Sequence, residues 1–116
     1  MSATSADRLA RAIEMTDRLI AFDTTSRNSN LELIDDIKGY LADLGVDARL
    51  TFDDTGAKAN LWATFGPADS GGVVLSGHTD VVPVDGQEWS SDPFRMIRRG
   101  DRLYGRGACD MKAGLA

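Results

Sequence analysis

One histidine, one cysteine and three prolines are all that this 116-residue chain contains of those residue types. A lone cysteine forms no internal disulfide, so the composition suits a reducing cytoplasm. A lone histidine means that any histidine-dependent chemistry inside the chain must use His78. Long apolar runs are missing too: none approaches the ~20 residues that a membrane-spanning helix needs. The N-terminal stretch "MSATSADRLARAIEMTDRLIAF" has no continuous apolar core followed by a small-residue cleavage signal, so no secretion signal is expected. Positive charge is scarce, with 13 basic residues against 18 acidic ones and a net charge of −5, which argues against nucleic acid or an anionic membrane as partner. The basic groups are short and scattered, as at Arg98-Arg99, which fits a solvated surface. Absent as well are a Gly-x-Ser-x-Gly elbow, a phosphate loop ending in Lys-Ser/Thr and a Cys-x-x-Cys pair.

What remains is ordinary globular material, 42% hydrophobic and 27% charged, enough for one domain or part of one. Leu9, Ala12, Ile13, Met15, Leu19, Ile20 and Phe22 recur at helical spacing. They predict a first helix from Ala6 to Phe22, capped by Ser5 with Asp7 in its first turn. Ser29 and Glu32 have capping-box spacing. They precede the stripe Ile34, Ile37, Leu41 and Leu44 of a second helix, with Gly45 placed as its C-terminal cap. The period then changes. In "VDARLTF", Val46, Ala48, Leu50 and Phe52 alternate as in a half-buried strand, and "LWATF" is another short strand. "VVLSG" is a continuous apolar run expected to be a strand covered on both faces. "RMIRRGDRLYGRG" predicts a hairpin turning near Arg99-Gly100-Asp101. Helices followed by strands suggest an α/β domain of layered helix and sheet.

Two short stretches carry chemistry. In "SGHTD", His78 and Asp80 stand at i and i+2, which places them on one face of an extended segment at a strand end. A metal-binding histidine needs its second ring nitrogen held by a carboxylate or carbonyl, and His-x-Asp supplies both groups. A surface histidine beside a loop carboxylate has the same short pattern. In "LYGRGACDMK", two glycines permit unusual backbone angles leading into Asp110. A carboxylate there suits a bridge between two divalent ions ~3.5–4 Å apart, and equally a plain turn. Cys109 reads as a small buried filler. Trp89 and Phe94 read as aromatics packing the intervening loop onto the body, while Asp85 and Glu88 read as solvated carboxylates.

Taken together, "SGHTDVVPVDGQEWSSDPF" followed by "RLYGRGACDMK" resembles the zinc metallopeptidase family that includes acetylornithine deacetylase, succinyl-diaminopimelate desuccinylase, aminoacylase and carboxypeptidase G. Order, wording and spacing of both blocks match. Upstream, "LIAFDTTSRNSNLELIDDIKGYLADLGV" and "DDTGAKANLWATFGP" are most similar to the acetylornithine deacetylase branch, so the resemblance covers nearly the whole chain. It implies the N-terminal part of a zinc-peptidase-like catalytic domain, with helices packed on a mixed β-sheet. It implies His78 and Asp110 as metal ligands, Asp110 bridging two ions, and Asp80 as the catalytic-site aspartate that braces His78. A cis peptide bond between Asp110 and Met111 is implied as well. The implied cofactor is Zn²⁺, two ions per full-length subunit, with Co²⁺ as an alternative. The implied partner is a small N-acyl amino acid, and the implied reaction is hydrolysis of N2-acetyl-L-ornithine to L-ornithine and acetate in arginine biosynthesis. "DMKAGLA" departs from the aromatic usual after "DMKG" in that branch, which keeps desuccinylase and other N-acyl-amino-acid hydrolases open. The family's downstream Glu-Glu pair, which holds the general base, does not occur in these 116 residues. Neither do the later ligands or the inserted dimerisation domain. The chain alone is therefore expected to be an inactive, truncated part of a homodimeric enzyme, or a non-catalytic remnant of one.

Overall fold

The computed structural model describes residues 2–116. They form two compact units: one comprises residues up to Asn28 together with Gly77–Ala116, the other Ser29–Ser76.

In the first unit, α1 spans Ser5–Ile20. Its cap is Thr4 and not Ser5, because Thr4 keeps extended backbone while Ser5 is already helical. Thr4 Oγ1 accepts from the Asp7 amide at 3.1 Å, and Asp7 Oδ2 accepts from the Thr4 amide at 2.9 Å. Two otherwise orphaned amides are satisfied by this reciprocal pair. The apolar stripe is buried only toward the C-terminal end, at Leu19 and Ile20, while Leu9 is 63% exposed.

Beyond α1 the chain turns through Asp23, whose Oδ1 accepts from the Thr25 amide at 3.1 Å. Residues 24–26 then run beside 79–81. Val81 N donates to Thr24 O, and Ser26 N to Val81 O, each at 3.0 Å. Thr24 Oγ1 donates to Thr79 O at 2.6 Å. A single parallel bridge, Thr25 to Val81, results. The predicted hairpin forms as β3 (Ile97–Arg99) and β4 (Arg102–Tyr104), antiparallel, with Gly100 at φ 63° in the turn. A short helix, α3 (Lys112–Leu115), closes the unit and packs against α1.

In the second unit, α2 spans Leu31–Asp43. The Ser29/Glu32 capping box does not form. Asn30 is the N-cap position, and its side chain instead pairs with Ala59 as a strand would, Nδ2 donating to Ala59 O at 2.9 Å and Oδ1 accepting from Ala59 N at 3.0 Å. Gly45, at φ 75°, ends the helix as expected. Strands β1 (Ala48–Phe52) and β2 (Ala59–Ala63) pair antiparallel and pack on α2. Leu33, Ile34, Leu41 and Ala59 make this unit's core.

The α/β mixture is as expected, but the sheet is not one mixed sheet. Among the described residues it is two separate antiparallel pairs. "VVLSG" is also not a covered strand. Val73, Val74 and Leu75 are 88%, 66% and 93% exposed, and no described strand pairs with them. Their β-branched composition favours a strand, but a strand is stabilised by cross-strand and facing contacts that this segment does not have.

Candidate metal site

Both chemistry-bearing stretches lie in the first unit, and they meet. His78 stands three residues before Val81, whose backbone is fixed to 24–26 by the bonds above. Asp110 stands on the turn that follows Gly107. That turn is tight for a physical reason. Gly107 has φ 84°, and a Cβ there would lie 2.8 Å from Val81 Cγ1 and 3.2 Å from Lys112 Cδ. Only glycine lets the second stretch approach the first so closely. The Lys112 amide donates to Gly107 O at 2.8 Å and closes the turn. The Asp110–Met111 peptide bond within it is cis, as the resemblance implies.

The result brings His78 Nε2 to 2.9 Å from Asp110 Oδ1. On the other side of the ring, Nδ1 lies 3.0 Å from the Asp80 carbonyl oxygen and 3.1 Å from Asp80 Oδ1. A carbonyl only accepts, so Nδ1 carries a proton and donates it. By the same reasoning Nε2, which faces the Asp110 carboxylate, donates its own proton there, and it is the nitrogen at which a metal would take that proton's place. Asp80 thus holds the ring through both its backbone carbonyl and its side chain. The Asp80 carbonyl bond and the Asp110 carboxylate hold the His78 pKa above its ordinary value, against a small opposing effect of burial. Asp80 itself is held below the usual carboxylate range, chiefly by a bond from Ser26 and also by His78.

The site is open. The His78 and Asp110 side chains are 48% and 80% exposed. One imidazole nitrogen and one carboxylate oxygen converge at the mouth, a donor pair suited to zinc. The pair supplies two corners of a shell that takes at least three protein ligands. Among the described residues no cluster of three or more His, Cys, Asp or Glu is placed to hold an ion. Cys109 adds nothing to the pair, and it is exposed rather than a buried filler.

The loop between the two stretches behaves as read, with one addition. Trp89 packs under the Arg106 guanidinium, 5.1 Å from ring centroid to Cζ, and Arg106 Nη2 also donates to Gln87 Oε1. Asp85 is a surface carboxylate paired with Arg27 at 2.9 Å. Two residues that sequence reasoning passed over prove central. Ser26 bonds Asp80, and Lys112 is fully buried with its Nζ 2.7 Å from Phe22 O. Neither carries a local signal, since serine in a turn and lysine near a chain end both read as surface.

Comparison with known proteins places the sequence among relatives. Residues 74–116 match the family model for Peptidase family M20/M25/M40. The chain is 41% identical over 109 residues to acetylornithine deacetylase of Edwardsiella ictaluri, covering 93% of this chain and 28% of that protein. It is 39% identical over 113 residues to acetylornithine deacetylase of Yersinia pestis, covering 93% of this chain and 29% of that one. The chain therefore spans less than a third of the length of these curated relatives. No described helix is long and apolar enough to cross a membrane.

Proposed function

We propose, for a chain carrying this M20/M25/M40 segment, that the whole protein is a metal-dependent hydrolase of N-acyl amino acids and that N2-acetyl-L-ornithine is its substrate. Support for the reaction class comes from the family match, and support for the substrate from the relatives' names. The single observation that carries the site is the convergence of His78 Nε2 on Asp110 Oδ1 while Nδ1 is anchored by Asp80.

His78 and Asp110 would hold zinc, with Asp110 offering a second carboxylate oxygen to a neighbouring ion. The metal, when bound, polarises the acyl oxygen and acidifies a water. The chain's own residues prepare for that. Asp80 keeps Nδ1 a donor and fixes the ring plane, so Nε2, once its proton is lost, would present its lone pair without a search over ring orientations. Asp110 holds the ring from the open side by accepting from Nε2, and metal binding there would require that proton to leave to solvent. Gly107 sets how near the two ligands stand. Proton transfer from the water falls to a group outside these 116 residues, as the family pattern places it on a downstream glutamate.

The test is zinc content and N2-acetyl-L-ornithine hydrolysis of the longer protein, in parallel with H78A and D110A. Loss of bound zinc and of turnover in both variants is expected. Full zinc occupancy and turnover in either would overturn the assignment. The 116-residue chain by itself should bind zinc weakly and turn over no substrate.

A further inference from the structure

Ser26 lies outside both motifs, 54 residues before Asp80, yet its hydroxyl is bonded to the Asp80 carboxylate at Oδ2, 2.6 Å away. A second acceptor, Val81 O, is farther at 3.3 Å. A hydroxyl has one proton, and the shorter bond to the charged acceptor takes it. The serine is itself fixed. Its amide donates to Val81 O at 3.0 Å, and two residues before it Thr24 O accepts from the Val81 amide at 3.0 Å while Thr24 Oγ1 donates to Thr79 O at 2.6 Å. Asp80 therefore has its two oxygens divided: Oδ2 belongs to Ser26, and Oδ1 lies 3.1 Å from His78 Nδ1. The Asp80 side chain is 55% exposed. Without a second anchor, an aspartate that open rotates about its side-chain bonds and shares its oxygens with water.

We infer that Ser26 is a positioning residue for the metal site, acting through Asp80 to hold His78 with Nε2 directed at the metal position. The chain of contacts is Ser26 hydroxyl to Asp80 carboxylate to His78 imidazole. It rests on the reading of His78 as a metal ligand. It goes beyond that reading by assigning control of the ligand to a hydroxyl from the segment after α1. Partners of metal ligands change affinity about 10–100-fold when removed, and a group one contact further out should act less.

The experiment uses the fact that the chain has one histidine, so the imidazole signals in nuclear magnetic resonance are unambiguous. At one fixed pH and without metal, exchange of the Nδ1 proton with water is measured for the native chain, S26A, D80A, S26T and S26V. Faster exchange is expected in S26A and S26V, with native-like exchange in S26T, which keeps the hydroxyl. Zinc alone is then titrated against the His78 line. A several-fold rise in apparent Kd is expected for S26A, a larger one for D80A, and none beyond D80A for the double variant S26A/D80A. That non-additivity separates action through Asp80 from general loosening, which would add. Exchange and zinc affinity in S26A equal to native, with D80A impaired, would overturn the inference alone. If zinc leaves the His78 line unmoved, the two ligands need the rest of their shell to bind it, and the metal-free exchange alone decides on Ser26. Should S26A fail to fold, the S26T and S26V pair, which differ only in the hydroxyl, gives the same decision.

Discussion

Raising the pH from 7 to 10.5 should stabilise the first unit through one side chain. Lys112 is 0% exposed, and its ammonium donates one bond, to Phe22 O at 2.7 Å. Burial pushes its pKa from 10.5 down to about 8, with the Asp23 carboxylate opposing part of the fall. A buried cation with so little compensation opposes folding. At 1.36 kcal/mol per pKa step, a fall from 10.5 to about 8 corresponds to about 3 kcal/mol. The sign follows from proton counts. Below pH 8 both folded and unfolded chains hold the proton, and the cost is constant. Between pH 8 and 10.5 the folded chain has released its proton while the unfolded chain keeps it. The unfolded state then binds more protons, so stability rises with pH by up to about 3 kcal/mol. The comparison is K112M, which keeps the stem and removes the charge. Groups shared by both chains cancel in the difference. Trp89 lies in the same unit as Lys112, and W62F leaves it as the sole fluorescent tryptophan of the two. Urea unfolding of both chains in the W62F background should show the stability difference, native minus K112M, growing by about 3 kcal/mol across that range. Parallel stability curves would refute the buried-ammonium account.

Two further outcomes are expected. G107A forces a Cβ to 2.8 Å from Val81 Cγ1 at a backbone angle that suits glycine, so it should destabilise the first unit by more than about 1 kcal/mol and weaken zinc binding as well. Urea melts and the His78 line read both effects. T4A removes the side-chain half of the α1 cap and should cost about 1 kcal/mol, measured by thermal or urea unfolding, with zinc binding unchanged.

Much of this was legible in the sequence where the signal is local. Helix periodicity located α1 to within two residues and put the stripe Ile34, Ile37 and Leu41 inside α2, and Gly45 and Gly100 sit where their conformational freedom is used. His78 and Asp80 are two apart, so their joint action follows from extended geometry alone. Asp110 is 32 residues from His78, and only the resemblance brought the two together before the structure did. The failures share a cause. Covered strands, Cys109 burial, Lys112 burial and the Ser26 contact all depend on what a residue meets far along the chain. Composition offers Val73, Val74 and Leu75 as strand, but it does not say whether a partner lies beside them. Thr4 displaced Ser5 as cap through a one-residue difference in backbone angle that either residue's chemistry would have allowed.

The sequence separations within the site also set an order of events. Contacts of Asp80 and of its neighbour Thr79 reach back 54 and 55 residues to Ser26 and Thr24, and the Lys112 ammonium reaches back 90 to Phe22. The unit between, Ser29–Ser76, is built from one helix and an adjacent hairpin, all near neighbours in sequence. Loop-closure entropy rewards near neighbours first. As the chain emerges during synthesis, α1 must therefore wait, with Leu19 and Ile20 uncovered, until the segment beyond Gly77 has been made. In pulse-labelling hydrogen exchange, the amides of β1 and β2 should gain protection before those of Ser26 and Val81. His78 and Asp110 then come together only after the Ser29–Ser76 unit has formed, and until they do a partly made chain shows the Leu19–Ile20 face of α1 and no site at all.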